Sequence, residues 1–389
     1  MELSLLSPGN GRPLRPRGKY LLDDGERLWP VVDGIAYLRP NEETRRAVVT
    51  LLQQDLVQEA LLLLLTEQDR FSPTAPPGRE ALRELLRRRD TIRLREAMDL
   101  LNYGAVGDYF AYRWCAPTFL SGLRLLEIST PAAGGQPVVE FACGIGQYLR
   151  ELERVGRAAV GVDIVFSKLW LARHLLGVRG PLICGDVEQA QLLPPGEART
   201  VCCHDAFYFF ADKESALRNL RSVAGAAGAL AVGHVHTNHE AHEAGFPEHY
   251  GRYAAMTTAE VLDDGSLTES WYGVGEVRAA DAATLSIALL EGERYRRKAG
   301  LRFSAGAATL TLNPLLRADG IAWPSEGWRE EFEGDWREAY AGYHPRALVE
   351  QPEVRRLFGT GPKAIAGLPP ATRKRLYRNR TLINLPERW

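Results

Sequence analysis

The residues best suited to hold a ligand lie where three apolar runs end in glycine or acid. Val138-Val139-Glu140-Phe141-Ala142-Cys143-Gly144-Ile145-Gly146-Gln147 reads as a buried strand, a glycine turn and the opening of a helix. Such a turn brings backbone N–H groups and a helix N-terminus close to a ligand. Glycines at 144 and 146 remove the Cβ atoms that would block the approach. Asp163 ends the second apolar run, where a carboxylate can accept both hydroxyls of a ribose. Gly185-Asp186-Val187 ends the third, where Asp186 can accept from an adenine amino group.

Two further segments carry groups that can act on a substrate. Cys203-His204-Asp205-Ala206-Phe207-Tyr208 ends a fourth run. His204 titrates in a range suited to proton abstraction; its other readings are a ring stacked on a cofactor or a main-chain hydrogen bond. Asp205 suits a substrate ammonium or imidazole, and Tyr208 belongs to the same candidate catalytic set. Five of the eight histidines fall between His234 and His249. His234 and His236 share a face if the fifth strand continues, since side chains two apart point the same way. With His204 or Asp205 beside them they suit a two-histidine, one-carboxylate metal site, with His239 as a further ligand. The other readings are a base or substrate contact from His236 or His239, or a polar loop of locally bonded histidines. The main expectation is a site without metal. Tyr103, Tyr109, Tyr112 and Arg113 form the opposite wall, or else a core aromatic cluster with Arg113 in a structural ion pair.

The elements that must position these groups alternate. Strand-like Val138–Ala142, Ala158–Val162, Pro181–Cys184, Val201–Cys203 and Ala229–His234 are separated by helical patterns at Gln147–Val155, Ser167–Leu176 and Lys213–Val223. This rhythm predicts an α/β fold, a doubly wound parallel sheet with its ligand cleft at the strands' C-terminal ends. Around it the chain divides into a small β-rich module (1–41), a helical lead-in or lid (42–118), the cofactor-binding core (119–236), an insertion covering the active site (237–300), and a C-terminal α+β part (301–389). A terminal strand pair is expected over Leu301–Leu315.

The core motif resembles the class I S-adenosylmethionine-dependent methyltransferases, whose first motif reads roughly [D/E]xGxGxG, with an acidic residue after the second strand and an Asp after the third. The resemblance implies a Rossmann-like fold and S-adenosyl-L-methionine as cofactor. Gly144 and Gly146 would line its methionine moiety, Asp163 would hold the ribose, and Asp186 with Val187 would flank the adenine. Glu140, Ala142, Gln147, Ile164 and His204 belong to the same implied site. Tyr109 and Arg113 would reach the cofactor carboxylate, a guanidinium being suited to bind it through two hydrogen bonds. Ala142 stands where the family has its first glycine. A nicotinamide or flavin dinucleotide site would need a third glycine at position 149, which is Leu; the remaining reading is a sheet turn that binds nothing. The first 41 residues resemble the zinc-ribbon modules that accompany some methyltransferases, with Ser7, Asn10, Leu21 and Asp24 in place of the cysteines. No thiolate site can form from those side chains.

The 389 residues include 48 basic and 49 acidic ones, for a net charge of −1. A nucleic-acid partner usually leaves a basic domain or stripe, so none is expected. The apolar runs fall short of the ~20 residues of a membrane-spanning helix. The five cysteines form no CxxC pair and read as reduced core thiols. A cytoplasmic protein, with a homodimer among the options, is expected. The functional expectation is transfer of a methyl group to a small-molecule nucleophile, a specialised metabolite being one class. Its rivals are metal-assisted or non-methylating S-adenosylmethionine chemistry on the same fold, methylation of RNA or protein, and a non-enzymatic docking role.

Overall fold

The computed structural model describes residues 3–198, 200–238, 245–295, 299–305, 309–335 and 345–389. Four short strands come first: β1 (Arg15–Arg17), β2 (Tyr20–Leu22), β3 (Leu28–Val32) and β4 (Ile35–Tyr37). Each pairs antiparallel with the next. The helical lead-in follows as α1 (Glu42–Gln53), α2 (Val57–Leu65), α3 (Arg79–Arg87), α4 (Leu94–Leu100) and α5 (Ala105–Tyr112). Asn41 starts α1 by accepting the Thr44 N–H at 3.2 Å, satisfying one of the donors a helix start leaves open.

After α6 (Pro117–Ser129) come β5 (Val138–Phe141), α7 (Gln147–Arg154), β6 (Ala159–Asp163), α8 (Phe166–His174), β7 (Leu182–Cys184), β8 (Thr200–His204), α9 (Lys213–Ala224) and β9 (Ala229–His236). The chain then forms α10 (Tyr250–Ala255), β10 (Glu260–Asp263), α11 (Asp264–Tyr272) and β11 (Ser286–Glu291). All these strands lie in one sheet of order β1-β2-β3-β4-β7-β6-β5-β8-β9-β11-β10. Its centre, β7-β6-β5-β8-β9, is parallel and is the doubly wound arrangement.

Alternation along the central strands divides two cores. Val138, Ala159, Leu182, Cys202 and Ala231 enter the core under α6, α7 and α8. Val139, Val160, Ile183, Val201 and Val232 enter the core under α9. This is the two-residue period of a sheet with both faces covered. All five cysteines are buried free thiols. Among the described residues, no helix is long and apolar enough to cross a membrane.

The β-rich N-terminal segment joins the main sheet: Ile35, Ala36 and Tyr37 run parallel to Leu182, Ile183 and Cys184, so β4 continues the central sheet beyond β7. Where the resemblance placed a ribbon's ligands, Ser7 Oγ donates to Asp23 Oδ2 (3.0 Å) and Asn10 Nδ2 to Asp24 Oδ1 (2.8 Å), while Arg12 pairs with Asp24. Leu21 lies outside this clasp, in β2. The strand pair expected over Leu301–Leu315 is instead β10 and β11, inside the segment read as an insertion, with β11 antiparallel to both β9 and β10. Within 301–315 only Thr311–Leu312 is a strand, and it pairs with Leu382–Ile383; residues 306–308 of the expected turn lie outside the described ones.

Close packing above the site gives a stability test. At Gly122 in α6 a Cβ would lie 2.2 Å from the Tyr148 hydroxyl and 2.7 Å from His204 Cδ2. Overpacking costs typically ~1–3 kcal/mol, against roughly 1 kcal/mol of helix propensity gained from glycine to alanine. Gly122→Ala is therefore expected to be net destabilising in urea titration. A variant as stable as the parent would show that Tyr148 and His204 yield freely.

Candidate functional site

The turn after β5 is built by three consecutive positive-φ positions at alternate residues: Ala142 (+53°), Gly144 (+55°) and Gly146 (+78°). An alanine accepts the left-handed region at a cost that glycine escapes, and Ala142 takes up this conformation where the family pattern has glycine. A Cβ on Gly144 would come within 3.1 Å of the Phe110 ring. The turn is fastened by Asp163 at the end of β6. Its Oδ2 accepts the Gly144 N–H and its Oδ1 the Val165 N–H, both at 2.8 Å. One lone pair remains on each oxygen, the arrangement needed for a diol. Gln147 Nε2 donates to the Phe110 carbonyl (2.9 Å), tying α7 to α5. At the end of β7, Asp186 accepts from the Glu188 N–H (2.9 Å) and from Gln189 Nε2 (2.6 Å).

These strand ends open on a cavity of about 920 Å³. Glu140, Ala142, Gly144, Gln147, Asp163, Ile164, Asp186, Val187, His204, Asp205, Tyr208, Tyr109 and Arg113 all line it. Gly146 lies behind the turn, its Cα packed toward Ala172 and Val178. The segment 68–74 between α2 and α3, inside the stretch read as a helical lead-in or lid, contributes Asp69, Phe71 and neighbouring residues to the opposite wall.

Glu140 provides the test of whether a cationic cofactor fits. Its side chain is buried, its Oε2 has no hydrogen-bond partner among the described residues, and it lines the cavity. Burial pushes its carboxyl up to about 8, against the opposing influence of Arg113. A buried carboxyl with one oxygen unpaired at a cavity wall is costly unless a partner arrives. A ligand bearing an ammonium or sulfonium charge is such a partner, so the residues present fit S-adenosylmethionine.

The far end of the cavity is polar and buried. Arg113, 4% exposed, places Nη1 2.5 Å from Asp205 Oδ2 and also pairs with the Tyr109 hydroxyl. Its Nη2 is 3.0 Å from His204 Nδ1. The structure thus uses the guanidinium in a buried ion pair. The Tyr208 hydroxyl donates to Asp205 Oδ1 at 3.0 Å. Against the upward push of burial, Arg113, His234 and His236 hold the Asp205 carboxyl below the usual range. His204 goes the other way: burial and the neighbouring Arg113 draw its imidazole down to about 3. With Tyr148 and Ser121 also against its ring, at 3.1 and 3.4 Å, it is a neutral positioning group and a poor base near neutrality.

His234 and His236 do not line the cavity but stand behind Asp205. Their Nε2 atoms are 3.8 and 4.0 Å from Asp205 Oδ1. His234 Nδ1 is 3.0 Å from Asp264 Oδ2, at the start of α11. Burial lowers the His234 imidazole, but Asp205 and Asp264 outweigh it and hold it above its ordinary value. His239 lies outside the described residues. Asp264, Tyr148 and Ser121 were not singled out from the sequence. Tyr148 had one signal, its place beside Gln147 in the first turn of the motif helix. Asp264 had only an Asp-Asp-Gly helix start, with nothing local to link it to His234.

Residues 139–232 match the family described as a methyltransferase domain. None of the curated proteins matches the chain. Solved structures similar to it include a TehB-like SAM-dependent methyltransferase from Corynebacterium glutamicum, at 14% identity over 46% of this chain and 86% of that one, with a TM-score of 0.34. Phosphoethanolamine N-methyltransferase 2 of Haemonchus contortus in complex with S-adenosyl-L-methionine is 17% identical over 44% of this chain and 46% of that one, with a TM-score of 0.34. A possible histamine N-methyltransferase from Thermotoga maritima is 12% identical over 48% and 93%, with a TM-score of 0.33. The match runs from β5 to β9, over the parallel, doubly wound centre of the sheet, the fold of a Rossmann-like domain.

Proposed function

We propose that the protein binds S-adenosylmethionine at the ends of β5, β6 and β7 and transfers its methyl group to a small-molecule nucleophile held toward Asp205. The observation that carries this reading is the cavity joining Glu140, Asp163 and Asp186 to Tyr109, Asp205 and Tyr208. Bound there, the cofactor supplies an electrophilic methyl group on sulfur, the C–S electron pair returning to sulfur as the new bond forms. Gly144 and Glu140 would face the methionine moiety, Asp163 the ribose, and Asp186 with Val187 the adenine. Single-ligand pockets run to about 300–1,000 Å³, so this cavity, near the upper end, leaves room beside a cofactor for a modest acceptor.

Methyl transfer draws much of its rate from positioning, and a base is needed only when the acceptor must lose a proton. Asp205, held ionised, can orient an acceptor's N–H or O–H, while Tyr109 and Tyr208 bound the space around it. The near-zero net charge supports a small acceptor over a polyanion.

Isothermal titration with S-adenosylhomocysteine tests the cofactor assignment, and absence of binding would sink it. Asp163→Ala is expected to weaken binding about ten- to hundredfold, since a hydrogen bond to a charged group contributes ~1.5–3 kcal/mol. Asp163→Asn, which can still accept from one backbone N–H, should lose less. Offering a labelled methyl group to panels of small amines and phenols, to RNA and to protein tests the acceptor. Label in RNA or protein with none in small molecules would overturn that part.

A further inference from the structure

We infer that Asp205, His234 and His236 form a binding site for one divalent first-row transition ion, with Asp264 as the positioning residue behind it. The three ligand atoms lie within 4.8 Å of one another. Asp205 Oδ1 is 3.8 Å from His234 Nε2 and 4.0 Å from His236 Nε2. These separations are too long for hydrogen bonds. They exceed by about 0.2–0.7 Å the ~3.3–3.6 Å spacing of tetrahedral ligands around an ion bound at ~2.0–2.2 Å, a gap that small side-chain rotations close.

The supporting groups are those such a site requires. His234 Nδ1 is 3.0 Å from both Asp264 Oδ2 and Ser286 Oγ. A carboxylate on Nδ1 fixes the proton there and leaves the Nε2 lone pair for a metal, the carboxylate–histidine–metal relay of many metalloproteins. Asp205 is divided in the same sense: Oδ2 belongs to Arg113, while Oδ1 faces the histidines and the Tyr208 hydroxyl.

Backbone geometry adds an independent observation. Asp205 (φ +56°) and His234 (φ +48°) both hold the left-handed conformation without being glycine. At His234 the pairing of β9 with β11 slips by a residue: Val235 faces Ile287, but Leu289 faces Val232. Bulges of this kind re-aim a side chain and recur beside active sites, and strain in non-glycine residues persists where the surrounding structure enforces it. Here it turns His234 toward Asp205.

Two imidazoles and one carboxylate favour Zn²⁺, Fe²⁺, Co²⁺ or Mn²⁺ over Mg²⁺ and Ca²⁺, which prefer all-oxygen sites. Among the described residues, the charged groups in contact with these side chains are Arg113 and Asp264, and Glu331 is within electrostatic reach of Asp205 and His234. The metal assignment stands on these side chains alone. A role in lowering the pKa of an acceptor oxygen or nitrogen at the cavity edge rests on the methyltransferase reading.

The full-length, untagged protein is stripped with a chelator and titrated with Co²⁺. The absorption bands of the bound ion and elemental analysis are read together, with S-adenosylhomocysteine binding measured on every sample. One Co²⁺ per chain, displaced by Zn²⁺, is expected. His236→Ala should abolish it while still binding S-adenosylhomocysteine, and Asp264→Asn should weaken it about ten- to hundredfold. Far less than one ion per folded chain, or His236→Ala binding Co²⁺ as tightly as the parent, overturns the site. Loss of S-adenosylhomocysteine binding with Co²⁺ binding intact would instead overturn the cofactor reading.

Discussion

Arg113→Ala is expected to lower the unfolding free energy by about 3–5 kcal/mol, the usual cost of removing one partner of a buried ion pair. The guanidinium and Asp205 are 4% and 7% exposed and 2.5 Å apart. Without Arg113, the Asp205 carboxylate stays buried, with the His234 imidazole 3.8 Å away. His204 Nδ1 loses a donor at 3.0 Å in the same step. Arg113→Lys should recover only part of the loss, because one ammonium cannot reach Asp205, Tyr109 and His204 from a single fork. The double variant Arg113→Met with Asp205→Leu should be more stable than Arg113→Ala alone, since removing both charges removes the uncompensated one. Urea titration of the parent, Arg113→Met, Asp205→Leu and their double variant gives the coupling energy directly. A cost below about 1 kcal/mol for Arg113→Ala, within the range of exposed pairs, would mean that water reaches Asp205 in solution.

That ion pair also marks the limit of local sequence reading. The strands of the central sheet were legible because Val138–Phe141 and Ala159–Asp163 are short, β-branched and bounded by turn residues. The glycine turn announced where their cleft would lie. Asp163 and Asp186 followed from the topology, since in a parallel sheet each strand must end at the same edge. The partner of Arg113 was not legible, because Asp205 is 92 residues away and nothing at either position names the other. The same holds for His234 and Asp264, brought together only when β10 and β11 close the sheet. Those two strands were missed for a related reason. Ser286-Ile287-Ala288-Leu289-Leu290 is buried on both faces and shows no alternation, and β10 is half polar at the sheet edge. The N-terminal strands were recognised as β-rich, but pairing between residues 35–37 and 182–184 is a long-range event that no local pattern encodes.

Binding of S-adenosylhomocysteine is expected to tighten roughly 50-fold from pH 6 to pH 8, through Glu140. An ordinary glutamate is ionised throughout that window, but burial raises this carboxyl to about 8, so the free protein holds it protonated at pH 6. An ammonium arriving at the cavity wall favours the carboxylate and expels the proton, at ~1.36 kcal/mol per pH unit of mismatch. At pH 6–7, binding enthalpies measured in buffers of different ionisation enthalpy should therefore differ by the amount set by about one released proton. The same shift has the opposite sign for the free protein. Because the folded state keeps a proton that the unfolded chain has released, stability contributed by Glu140 falls as pH rises from about 4.5 to about 8, and bound ligand should restore it. Glu140→Gln isolates this group: its affinity should be nearly flat over the window and its proton release close to zero. A parent protein with pH-independent affinity, or a Glu140→Gln variant that keeps the full slope, would place the ligand's positive charge away from the end of β5.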